Sequence, residues 1–502
     1  MTGTMDATEG RTGAAPMTAH DDVTALLGLA DTLFPPDAEG DPTESIRGWR
    51  ERVTSLTGRQ GPEAEAEMDR AEADLRVMWI RHAHGFTDPR YKSPPLGTPM
   101  TLPFGRPSTH SYERNIECHS LEERLAAQDA ELDHHEVAHV VYSSGMASIA
   151  GLLQCYRSLI RQTADRPLNL LMWGAYYETG VLFDLVSDDG LRCRRADTQE
   201  ELRSCLLTGE VDVLFIEPVR YEWELDALDL PALLGAWRGR RGSRPGLVVV
   251  DSTLVSPVWP RERFVEAVGD PGVLVVEVRS GLKLDQRGLE LGNLGVASLY
   301  ARRSDPALPP AADLATYLRK MRTVVGSGLS LEALSVLSAP FVLDRAAARD
   351  HALAVLRNNA LTARVLADLA GPERLFTRIA HPSLAEGPAA PWAQAPFVVC
   401  HLREDTLEHH GLLLGVLRSQ ARRRGLPFSH GSSFGFRAHR FECIVPSLKE
   451  GRGLFKVAMG ARAGWGRAAV VELLMEVAAH PDIDSLRRSD PDAVPVDLTD
   501  LE

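Results

Sequence analysis

The chain has 502 residues, of which 44% are hydrophobic and 25% charged, and its formal net charge is −14 at pH 7. That length exceeds what one core usually serves, so two packed units plus an extension are expected. The acidic balance argues against a nucleic-acid partner, which needs clustered Lys and Arg, and no run of ~18 apolar residues offers a membrane span.

Residues 1–20 are polar and rich in Gly, Thr and Ala, a composition expected to stay disordered. They lack the basic start and apolar stretch of a secretory signal. Residues 21–85 read as helical: Asp22–Leu33 carries helical apolar spacing stopped by Pro35-Pro36, and Glu63–His84 places Met68, Leu75, Met78 and Trp79 on one side. Residues 86–108 contain six prolines and read as an extended arm.

From about residue 109 short apolar runs alternate with helical stretches. His139–Tyr142, Leu168–Trp173, Val213–Ile216, Leu247–Val250 and Val273–Val278 are near-continuous in Val, Leu and Ile, as strands buried on both faces of a parallel sheet must be. Met146–Arg161, Thr198–Leu207 and Leu230–Arg238 are the intervening helices, giving a doubly wound α/β pattern. A long helical stretch covers roughly 311–370. Strand-like Phe397–Leu402, helical Leu407–Arg424, strand-like Leu454–Met459 and helical Ala468–Ala479 then suggest a smaller α/β unit. The tail from Pro481 is acidic and expected to be loose. The expected division is an extension and arm over 1–108, a large domain over 109–325, a small domain over 326–480 and a tail over 481–502.

Ligands of an open parallel sheet bind beyond the carboxyl ends of its strands. After the first run comes Ser144-Gly145-Met146, a small-residue turn opening a helix, whose free amides suit a phosphate. After the second comes Tyr176, able to stack on a flat ring. The fourth ends in Asp251-Ser252-Thr253; a carboxylate there is costly unless it meets a cation. The fifth ends in Ser280-Gly281-Leu282-Lys283. An ammonium at a buried sheet end should lose its proton readily, which makes the amine nucleophilic. Lysine occurs only at positions 92, 283, 320, 449 and 456, so its placement here stands out. Tyr112-Glu113-Arg114 precedes the first strand and means nothing alone. Each of these motifs also has a plain reading as an N-cap turn, a packed aromatic or a surface lysine.

Taken in this order, the motifs resemble those of the cystathionine γ-synthase/γ-lyase group, the Cys/Met-metabolism family of fold-type-I pyridoxal 5′-phosphate (PLP) enzymes. The resemblance is good over roughly 109–300 and loose over 395–480. It implies a mostly parallel large domain with a smaller C-terminal α/β domain. It also implies phosphate held by the Ser144-Gly145-Met146 turn and Ser280, Tyr176 on the pyridine ring, Asp251 on its nitrogen, Thr253 beside it, and Lys283 as the Schiff-base lysine. Tyr112 and Arg114 match the family's Tyr-x-Arg, which reaches the phosphate of a neighbouring subunit, so a homodimer or homotetramer with shared active sites is implied.

There are departures from the family pattern. Leu282 stands where the family has Thr, Glu217-Pro218-Val219-Arg220-Tyr221 lacks its Asn, and Lys456 takes the place of its carboxylate-binding Arg. Lysine lacks the bidentate fork. Arg437 or Arg440, after the turn containing Ser433, could substitute. The expected activity is γ-elimination or γ-replacement on a homoserine-, homocysteine- or methionine-type amino acid, S-adenosylmethionine included, in specialised biosynthesis. A β-lyase or aminotransferase is the alternative enzyme, and a non-catalytic PLP-fold binding protein the alternative of another class.

His135-Glu136-Val137-Ala138-His139 fits the HExxH zinc pattern, but His139 runs directly into a strand, so no metal is expected. Ser280-x-x-Lys283 also fits the SxxK acyl-enzyme motif, but the partner Lys-Thr-Gly is absent. The six cysteines form no CxxC pair, which suits reduced thiols in a cytoplasmic protein.

Overall fold

The computed structural model describes residues 19–35, 43–88, 92–95, 100–159, 166–242, 244–385, 390–446 and 451–499. Residues 1–18, most of the segment expected to be disordered, lie outside these, as do residues 160–161 at the end of the expected helix Met146–Arg161. Three helices open the described chain: α1 (Ala19–Leu33), α2 (Thr43–Thr54) and α3 (Pro62–His84). The proline-rich arm carries a two-stranded antiparallel hairpin, β1 (Met100–Leu102) with β2 (Arg106–Ser108), and leads into α4 (His119–Ala126).

The large sheet then forms from β3 (His135–Tyr142), β4 (Leu168–Trp173), β5 (Leu191–Arg195), β6 (Val213–Ile216), β7 (Leu247–Asp251), β8 (Leu274–Ser280) and β9 (Gly295–Arg302). Between them run α5 (Gly145–Leu159), α6 (Tyr177–Val186), α7 (Gln199–Thr208), α8 (Leu230–Gly239) and α9 (Arg261–Val268). The spatial order is β3-β9-β8-β7-β6-β4-β5, parallel except for β9, which pairs antiparallel with both neighbours. The first strand begins at His135 rather than at His139, because His135↔Arg302 opens an eight-residue ladder with β9. β9 itself mixes small residues with Leu299 and Tyr300 and shows no apolar run to mark it.

The helical stretch expected over roughly 311–370 consists of three helices: α10 (Ala311–Val325), α11 (Leu331–Leu337) and α12 (Arg345–Ala367). Left-handed Gly326 ends the first, the Ser330 hydroxyl caps the second and the Asp344 carboxylate caps the third, so local capping breaks an otherwise continuous apolar pattern. The smaller sheet has the order β10-β11-β14-β13-β12, with β10 (Phe376–Ala380), β11 (Val398–Leu402), β12 (Phe428–His430), β13 (His439–Ile444) and β14 (Leu454–Ala458). It is antiparallel except for β12 with β13. Helices α13 (Leu407–Arg424) and α14 (Trp465–Ala478) cover it.

The tail is not loose where it is described. Helix α15 (Ile483–Ser489) packs on α13, Leu486 and Leu498 are buried, and the Val496 amide donates to the Gly411 carbonyl. Its acidic composition hides a few well-placed leucines, and Asp490 is itself buried against Gln420 and Arg423.

Four large cores and a small cluster of Ala354, Val355 and Ala461 occur among the described residues. Of the four, one lies on each face of the large sheet, one lies in the small sheet, and one joins α1–α3 to residues 289–296 and 329–343. The face of the large sheet that carries Ile216 and Val250 shares its core with Phe397 and Phe434. The two sheets therefore meet at the carboxyl edge of the large one. All six cysteines are free, and no helix among the described residues is long and apolar enough to cross a membrane.

Candidate functional site

The carboxyl ends of β3, β4, β6, β7 and β8 open on a cavity of about 1120 Å³ that is closed on the far side by the 430–434 loop and by β13 and β14. Among its lining residues are Ser144, Gly145, Met146, Tyr176, Asp251, Thr253, Ser280, Lys283, Ser433 and Lys456. Ten residues singled out in the sequence thus face one space. Four do not. Tyr112 is exposed with the Arg114 guanidinium 5.0 Å from its ring, and Arg437 and Arg440 sit outside the cavity. Arg437 is buried against Glu72 of α3 at 3.0 Å, and Arg440 reaches Glu290 at 2.8 Å. Neither guanidinium is available as a fork, because each already serves a carboxylate.

At the start of α5 the Ser144 hydroxyl accepts the Ala147 amide at 3.1 Å. The Gly145 and Met146 amides lie ahead of the first intrahelical bond, at the positive end of the helix dipole. At Gly145 a Cβ would stand 3.2 Å from the Ser280 amide nitrogen, a tight contact, so the turn lies directly on the end of β8. The Ser280 amide in turn donates to Thr253 Oγ1 at 3.0 Å, and the Thr253 amide donates to Asp251 at 3.0 Å. This chain of contacts ties the ends of β7 and β8 to one another.

Lys283 is half-buried on the wall of the cavity. Burial pulls its amine down to about 8, against the opposing pull of Asp251. Burial pushes Asp251 up, and Lys283 partly offsets it. The Lys283 ammonium lies 5.1 Å from the centre of the Phe434 ring. Ser433 (φ 75°) and Gly435 (φ 77°) both adopt left-handed backbone, which turns that ring into the cavity.

Glu217, at the end of β6, was not singled out. Its carboxylate accepts the amides of Ala175, Tyr176 and Tyr221, each at 3.0 Å. Burial, and next the charge of Asp251, push it up to about 7. It fixes the loop that presents Tyr176. Its place just after Val213–Ile216 was a usable signal, the same one that marked Asp251.

A second group was found only in part: Lys456 was singled out, but its partners Tyr221 and Glu442 were not. Lys456 is 1% exposed, and its Nζ lies 2.7 Å from both the Tyr221 hydroxyl and Glu442. The rings of Tyr221, Phe397 and Phe434 surround it at 5.3–5.7 Å. Burial lowers its pKa while Glu442 opposes the fall. Glu442 and Lys456 are direct partners across β13 and β14, a register that the sequence does not display.

The arrangement offers a nucleophilic amine, a buried carboxylate, a flat aromatic and a helix N-terminus around one space. These are the groups that the aldehyde, ring nitrogen, ring face and phosphate of PLP require, so the residues present fit that cofactor. The zinc reading fails on geometry: His135 and His139 lie on a strand, bonded to the Gly269 carbonyl and to Ser298 and Asp129. No group of three metal-ligating side chains occurs among the described residues.

No protein-family model and no curated protein matches the sequence. Solved structures do match. Apo CalE6, a methionine gamma lyase from Micromonospora echinospora, has a TM-score of 0.52 at 23% identity, over 81% of this chain and 98% of that one. The metB protein from Corynebacterium glutamicum has 0.53 at 16% identity, over 80% and 92%. Yeast cystathionine gamma-lyase has 0.51 at 17%, over 82% and 97%. Each of the three is matched over at least nine-tenths of its length, while about a fifth of this chain lies outside the match. The chain therefore shares the fold of these three structures, the fold type I expected from its motifs.

Proposed function

We propose that the protein is a PLP-dependent enzyme that catalyses γ-elimination or γ-replacement on an amino acid with a leaving group on Cγ. Homoserine, homocysteine and methionine derivatives are the substrate class, S-adenosylmethionine among them, and the setting is specialised biosynthesis. The observation that carries this reading is Lys283: an amine on the cavity wall, held near pKa 8 at the carboxyl edge of the sheet, facing Asp251 and the N-terminus of α5.

When bound, PLP supplies an electron sink conjugated to the substrate Cα. The Gly145 and Met146 amides with Ser280 grip its phosphate, Tyr176 covers the ring, and Asp251, steadied by Thr253, holds a proton on the ring nitrogen. Lys283 would hold the cofactor, and its free amine would serve as the base for the Cα proton. Tyr176 assists these proton moves. Lys456 and Ser433 are the substrate-side groups. Arg437 and Arg440 give up the part expected of them, since both are spent on Glu72 and Glu290. Tyr112 and Arg114 remain proposed for the site of a neighbouring copy.

The test is the visible absorption spectrum of purified protein beside Lys283→Ala. Wild type should show a yellow band that borohydride bleaches, and the variant should lack it. Amino acids are then screened for release of a keto acid or thiol. A protein that stays colourless with added PLP ends this reading.

A further inference from the structure

Resting on the reading above, we propose that Tyr221 is a catalytic acid that protonates the leaving group on Cγ, with Lys456 as the positioning residue that polarises its hydroxyl. Hydrogen-bond direction carries the assignment. An ammonium has donors only, so at 2.7 Å Lys456 donates and the Tyr221 oxygen accepts. Glu442 forms an ion pair with the same nitrogen at 2.7 Å, which favours the ammonium against the effect of burial. The Tyr221 hydrogen is then left over. No acceptor for it occurs among the described residues, and the side chain lines the cavity.

Tyr176 is differently placed. Its ring lies 5.3 Å from that of Tyr221, and its hydroxyl faces the Glu178 carboxylate, which accepts the Tyr177 hydroxyl at 3.3 Å and, after burial, raises the Tyr176 pKa. Tyr221 also stays protonated in the resting site, because burial pushes its phenol well up. Its backbone is fixed by Glu217 and its ring by Phe397 at 4.9 Å.

The step balances as follows. The electron pair left on Cβ by loss of its proton forms the Cβ=Cγ bond as the Cγ–X bond breaks, and X leaves with the pair of the broken bond. The Tyr221 O–H bond breaks and its proton goes to X, giving HX. The phenolate so formed faces the Lys456 ammonium, which returns a proton to it and is recharged from solvent. A leaving group that departs as a neutral molecule, such as the dimethyl sulfide of a sulfonium, needs no proton and bypasses the acid.

That difference is the test. Holoenzyme of wild type and Tyr221→Phe is assayed on methionine, whose leaving group is a thiolate, and on S-methylmethionine, whose leaving group is a neutral thioether. The variant should lose about 100-fold in kcat on methionine, the scale of general-acid catalysis, and less than about threefold on the sulfonium. Equal losses on both, or a wild type that never releases methanethiol from methionine, overturns the assignment. A bleachable cofactor band with turnover of the sulfonium would still leave the γ-elimination reading standing, whereas a banded enzyme that turns over neither probe overturns both. A readout free of turnover checks Lys456. In apoprotein carrying ring-labelled tyrosine, the NMR resonance that vanishes in Tyr221→Phe should shift in Lys456→Met, and no shift removes Lys456 from the scheme.

Discussion

Lys283, Asp251, Tyr176 and Ser144 could be found in the sequence because each follows directly on an apolar run, and the end of a buried strand is where a polar side chain needs a reason. The environment of Lys283 has a measurable consequence. Its amine sits near 8 in the folded chain and near ~10.4 when unfolded. Between those values the unfolded chain binds more protons, so stability rises with pH across the window, and the cost of burying the ammonium is full only below about 8. Only the free amine attacks an aldehyde. The rate at which apoprotein captures PLP, followed by its visible absorbance, should therefore climb with a midpoint near pH 8, and a midpoint near 10 would contradict this environment. Lys456 was visible as one of five lysines, but Glu442 was not, because nothing in a strand's own sequence names its partner across the sheet.

At the scale of elements, α3 does more than extend the chain. Its acidic face meets two buried arginines of the small domain: Glu72 takes Arg437, while Glu65 and Asp69 take Arg462. From α1, Asp22 accepts the Ala463 and Gly464 amides just ahead of α14. These contacts place Arg437 in the framework and not in the substrate site. Arg437→Met should leave an unpaired carboxylate on α3 and cost about 3 kcal/mol in denaturant unfolding. It should leave the KM of any substrate found within about threefold, since Arg437 does not line the cavity. A selective rise in KM with stability unchanged would restore it as a substrate ligand. The helical register of α3 was legible from its apolar spacing; the partners of its acidic face were not, since they lie more than 360 positions away.

The whole molecule depends on that extension. Leu26, Leu29, Val53, Leu75 and Trp79 are 0% exposed and cover Leu289, Leu294, Leu331 and Leu337. Each fully buried side chain of this kind contributes roughly 2 kcal/mol, so a handful equals the entire margin of a folded domain. Removal of residues 1–85 should yield aggregated protein in size-exclusion chromatography with no cooperative thermal transition. A soluble truncation that still captures PLP would show that the first three helices are an accessory.

Read alone, the sequence determined the α/β alternation, most strand positions and most residues that line the cavity at the ligand edge, because parallel strands buried on both faces must be apolar and must end at the ligand edge. Tertiary structure decided the rest. The antiparallel insertion of β9, the three-way division of residues 311–367, the packed tail, the capture of Arg437 by α3 and the Glu442–Lys456–Tyr221 cluster all depend on contacts between segments. Such contacts leave no period in the chain; they exist only once strands have chosen their neighbours and buried charges have found their partners.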